Sequence, residues 1–72
     1  MTAPIFDIRH GDRVAVLNPT RTSDGYATGL RVGQRGIVKA MRADDGVAHY
    51  LVKWDRKAWP VVLCRCDIEA AP

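Results

Sequence analysis

Apolar and polar residues alternate along much of this chain with a period of two, the signature of half-buried strands. In residues 12–17, DRVAVL, Val14 and Val16 alternate with Arg13 and Ala15. Residues 36–41, GIVKAM, form a second short run. Residues 49–54, HYLVKW, put Tyr50, Val52 and Trp54 on one face and His49, Leu51 and Lys53 on the other. Residues 61–65, VVLCR, are a fourth run, and CDIE at 66–69 reads as a short turn entering a last strand. No segment sustains a 3.6-residue period. Glycines 11, 25, 29, 33, 36 and 46 fall between these runs or at their ends, where turns need them.

The connections differ in kind. RADDG at 42–46 predicts a hairpin, because Asp-Gly between apolar runs favours a tight turn. DRKAWP at 55–60 is short and basic, whereas NPTRTSDGYATGLRVGQ at 18–34 is a loop of 17 residues. Loops longer than roughly 12–15 residues are uncommon in compact domains and are often functional. Short strands, one long first loop and tight hairpins describe an all-β fold, a small antiparallel barrel of about five strands. Val14, Val16, Val38, Val52 and Trp54 are spaced to fill its interior, each burying roughly 1.5–3 kcal/mol of side chain.

The motifs GDRVAVL (11–17), VGQRGIV (32–38), YLVKWD (50–55) and CDIE (66–69) resemble those of small SH3-like barrels, of the KOW and Tudor-like type found in bacterial and phage accessory proteins. The resemblance spans residues 11–69 and implies an SH3-like barrel there, with 1–10 as an N-terminal extension and 70–72 as a tail. It is carried by turn and packing positions, which say little about a ligand. In such barrels the first long loop and the loop after the third strand commonly border one groove. The resemblance therefore implies that the two loops converge.

Composition sharpens this picture only slightly. Seventy-two residues make one domain, and 47% apolar content supports a core. The first residues lack a basic head followed by an apolar run, and the longest apolar stretch, 61–64, is far too short for a membrane helix. The expectation is a soluble, cytoplasmic protein. Eight arginines and three lysines give a net charge of +3, with a pI near 9.2. This mildly favours anionic partners, and arginine forks suit phosphate or carboxylate.

The long loop carries Arg21, Tyr26 and Arg31, with Arg35 just beyond it; the 55–60 turn carries Arg56, Lys57 and Trp59. Cations interleaved with aromatics suit a phosphate backbone with stacking bases. Trp54 is in phase with the core. Trp59 lies in turn chemistry, where it either covers the barrel end or stands as a partly exposed anchor for a base, a peptide or a methylated side chain. The acidic 44–45 turn belongs at the opposite end, making the charge asymmetric.

Other chemistry is weakly indicated. Cys64 and Cys66, placed on one strand face, read as small core residues; along a strand their α-carbons lie near the upper limit for a disulfide. With His10 and His49 they lack the spacing of a zinc site, and both histidines read as surface or half-exposed groups. No nucleophile–base set or phosphate loop is visible. The small plasmid-borne dihydrofolate reductases open their barrel similarly, but their Val-Gln-Ile-Tyr strand corresponds here to VVLCRC, without the glutamine and tyrosine. The expectation is a binding module without catalysis, cofactor or metal. Its partner is nucleic acid or a nucleoprotein complex through Arg21, Tyr26, Arg31, Arg35, Arg56, Lys57 and Trp59. The alternative is a protein-interaction, inhibitor or assembly module using a groove or strand edge.

Overall fold

A computed structural model describes residues 6–19 and 28–72. Five strands follow one another: β1 (Arg13–Val16), β2 (Arg35–Asp44), β3 (Val47–Trp54), β4 (Val61–Cys64) and β5 (Ile68–Ala70). A 3₁₀ turn, Arg65–Asp67, joins the last two. All pairings are antiparallel, in the order β4-β3-β2-β1-β5. The domain is therefore all-β, as its period-two pattern predicts.

Consecutive strands β4 and β5 form the two edges of this sheet. Edges of a flat five-stranded sheet stand about 19 Å apart. Cys64 and Ile68 are four residue steps apart, which reach at most about 14 Å fully extended. The sheet must therefore roll. Its edges approach through the turn, and the strand order contains no β4–β5 ladder among the described residues.

The inside of the roll is the core. Val14, Val16, Val38, Tyr50, Val52, Trp54, Leu63 and Ile68 are all essentially inaccessible. Ala15 is buried as well, despite its outward phase. Gly36 is fixed by close approach: a Cβ there would lie 2.6 Å from Val52 Cγ1 and 2.8 Å from the Lys53 carbonyl oxygen. At the hairpin, Asp45 (φ 51°) and Gly46 (φ 78°) form a two-residue connection with both residues left-handed, as in a type I′ turn. The pattern of GIVKAM hides one irregularity. Val38 pairs with Val52 and Ala40 with Leu51, so Lys39 is an unpaired extra residue. This bulge resets the phase of β2, whose remaining residues are all exposed.

The segment before Gly11 does more than extend the chain. Ile8 is 2% exposed within the core, and its carbonyl accepts a 2.9 Å hydrogen bond from the buried Tyr50 hydroxyl. Phe6 meets Tyr50 edge to face at 6.2 Å. Asp7 pairs with Arg65 through two hydrogen bonds of 2.9 Å. At the other end, Ala70 pairs with Val14, and the Ala71 amide donates to the Arg13 carbonyl at 2.9 Å.

Candidate nucleic-acid interface

Two short segments face each other at the Trp54 end of the β2–β3 hairpin. The first, residues 29–35, leads into β2. A tight turn shapes it: the Gln34 amide donates to the Arg31 carbonyl, and the Arg31 amide donates to Gln34 Oε1, both at 3.0 Å. Gly33, at φ +85°, lets its own amide donate back to the Val16 carbonyl at 2.8 Å. The second segment, residues 55–57, follows β3. Asp55 donates its amide to the Arg35 carbonyl at 2.8 Å, and Arg56 adopts a left-handed φ of 65°.

Gln34 ties the segments together, its side-chain amide donating to the Asp55 carbonyl. Lys53 Nζ donates to the Lys57 carbonyl, bracing the second turn from β3. Between the segments lies an open groove of about 620 Å³, bordered by Arg31, Arg35, Arg56 and Lys57 with Asp55 as its single carboxylate. A smaller hollow of about 230 Å³ adjoins Arg35 and Asp55 and brings in Arg13 from β1. Among the described residues none of these five cations is in an ion pair.

Four of the cations proposed from sequence therefore share one groove. Trp59 lies two residues beyond Lys57 and is 79% exposed, so it does not cover the end of the sheet. The end is covered without it: the turn spans 55–60, and the Trp54 indole, donating to the Val61 carbonyl at 3.3 Å, occupies the interior. Arg21 and Tyr26 lie outside the described residues. Gln34 and Arg13 were missed from sequence. Arg13 had a signal, its outward phase opposite Val14 and Val16; Gln34 had none, because its role depends on a contact 21 residues away.

The charge asymmetry follows the hairpin. The groove lies at the Gly36–Trp54 end, and Asp44 and Asp45 lie at the other, where Asp44 pairs with Arg42 at 3.0 Å. The Arg65 guanidinium holds the Asp7 carboxyl below its ordinary value, and burial pushes the Tyr50 phenol up. The hydrogen bond between thiols and partial burial push Cys66 up to about 11.

The cysteines depart from their expected place. Cys64 ends β4 half-buried, whereas Cys66 is in the 3₁₀ turn and exposed, so neither is a fully buried core residue. His10 is exposed and His49 half-buried. Among the described residues no three His, Cys, Asp or Glu side chains are grouped to hold a metal ion. Among them, too, no helix is long and apolar enough to cross a membrane. No protein family, curated protein or solved structure matches the chain.

Proposed function

We propose that this domain is a non-catalytic binding module that takes the phosphate backbone of a nucleic acid, free or within a nucleoprotein complex, along the basic groove. One observation carries the reading: Arg31, Arg35, Arg56 and Lys57, from segments distant in sequence, border a single groove with one opposing carboxylate. Phosphate oxygens accept from arginine forks, and positioning on a backbone needs no base-specific pocket. Trp59 supplies a ring on the same turn for a neighbouring base. The resemblance of the strand and turn motifs to SH3-like barrels supports the reading, since paired loops commonly border the ligand groove in those domains.

The test is a salt titration of binding to labelled oligonucleotides, followed by anisotropy. Four neutralised phosphates give a slope of log K against log salt of about −3 to −4. Arg31→Gln and Arg56→Gln should each flatten it by about 1. Affinity that ignores salt, or slopes that both variants leave unchanged, would overturn the reading.

A second reading, a protein-interaction module, has its own observation. On the outer face of β2, β3 and β4, Met41, Leu51 and Val62 line a shallow cleft of about 250 Å³ with Ala40, Arg42 and His49. A protein partner retained from lysate after nuclease treatment and at high salt would favour it.

A further inference from the structure

The 3₁₀ turn that joins β4 to β5 brings together two groups with no part in the groove. Cys64 Sγ and Cys66 Sγ are 3.1 Å apart, the Cys66 thiol donating to Cys64. Residues two apart along a strand hold their α-carbons about 6.6 Å apart, at the edge of what a disulfide spans. Here the chain leaves the strand after Cys64, which is extended (φ −70°, ψ 151°), and Arg65 and Cys66 turn into the 3₁₀ helix. Helical winding shortens the separation to roughly 5–5.5 Å, inside the usual bridging range. The turn thus removes the geometric objection that a continuous strand would raise.

Access is open as well. Cys66 is exposed, and the pair borders a shallow depression of about 550 Å³ whose far wall is Gly46, Val47 and Ala48. The side chain between the sulfurs is held out of the way, Arg65 being clasped to Asp7 and donating to the Ile68 carbonyl at 2.8 Å. We propose that Cys64 and Cys66 are a redox-active dithiol that closes to an intramolecular disulfide by exchange with a low-molecular-weight disulfide of the glutathione type.

The Cys66 thiol, pushed up to about 11, keeps its thiolate scarce at neutral pH, so the first step quickens as pH rises. In that step the exposed Cys66 sulfur loses its proton and attacks one sulfur of the small disulfide. That S–S bond breaks, and the departing half takes up a proton as a free thiol. In the second step Cys64 loses its proton and attacks Cys66 Sγ, expelling the other half as a second thiol. Two protein thiols are oxidised and one small disulfide is reduced to two thiols. The same steps run backwards in excess thiol. A ring closed over two residue steps constrains the unfolded chain very little, so the bond acts as reversible chemistry more than as a staple.

The test uses the full chain, incubated with oxidised glutathione and quenched in acid for intact mass, peptide mapping and thiol counting. Wild type should lose two hydrogens in mass, form no disulfide-linked dimer, show no free thiol and return on reduction. Cys64→Ser should stop at the mixed disulfide on Cys66. In a glutathione redox buffer the folded chain should form the 64–66 bond at an equilibrium constant about tenfold above that of the same chain in urea, a shift of about 30 mV. A stable mixed disulfide in wild type, a linked dimer, thiols left free, or equal constants in buffer and urea would overturn the proposal.

Discussion

The two tryptophans lie five residues apart and meet opposite fates. Trp54 ends a strand in phase with Tyr50 and Val52; it is 0% exposed, and its indole nitrogen has a carbonyl partner. Trp59 follows a left-handed Arg56 in a basic turn and is 79% exposed. Residue type does not explain the difference. The period-two pattern carries a side chain inward only while the strand continues, and it ends at Trp54. A large apolar ring left in water beside a cluster of cations costs solvation without contributing packing, which is why it reads as a contact surface.

This contrast can be broken experimentally, most severely at its buried member. Trp54→Ala should cost about 3–5 kcal/mol and leave a domain of this size largely unfolded at room temperature, by denaturant titration. A loss below about 1 kcal/mol would mean that the core is not built around this ring. Tyr50→Phe, two repeats of the pleat away, keeps the ring and removes the bond to the Ile8 carbonyl. It should cost about 1–3 kcal/mol, because that carbonyl stays buried unpaired. If thermal unfolding is unchanged, residues 6–10 contribute little to the fold.

Trp59→Ala should change stability by no more than about 0.5 kcal/mol and weaken oligonucleotide binding by about 1–3 kcal/mol, read by anisotropy. Equal binding would reduce Trp59 to an incidental surface residue. Acrylamide should quench its emission while the emission of Trp54 in Trp59→Phe stays protected. The smallest effect lies at the Asp7–Arg65 clasp. Asp7 titrates lower folded than unfolded, so its contribution is complete above its ordinary value and fades as pH falls through the folded one. Asp7→Asn should therefore lower stability slightly at neutral pH, flatten the acid limb of a stability–pH curve, and converge with wild type at low pH. An unaltered acid limb would remove the clasp from consideration.

These same residues show what the sequence makes legible. Val14, Val16, Tyr50, Val52 and Trp54 obey a local rule, strand alternation, and were found from it. Asp45-Gly46 obeys turn chemistry and was found too. Ile8 gives only a faint signal: Phe6 and Ile8 alternate with Asp7 and Arg9 for too few residues to mark a strand. The contacts that hold Ile8, the core and the Tyr50 hydroxyl 42 residues away, are distant in sequence. The cysteines were misjudged because residue 65 breaks the alternation on which their shared face depended. Arg31, Arg35, Arg56 and Lys57 are legible as types, and the hairpin register that pairs Gly36 with Trp54 brings residues 35 and 55 together. The Gln34 bridge between the two loops is a contact that no local pattern encodes.

The strand order also carries a kinetic consequence. β2, β3 and β4 follow one another as a meander, and the Asp45-Gly46 turn closes its first hairpin over two residues. The β1–β5 ladder joins Val14 to Ala70, almost the full length of the chain. Loop closure over such a span is entropically dearer than over a hairpin, so the meander should form early and the β1–β5 seam last. Substitutions in the hairpin should then slow folding, whereas those at Val14 or Ile68 should mainly quicken unfolding. On a ribosome, the roll cannot complete until residue 70 has cleared the exit tunnel.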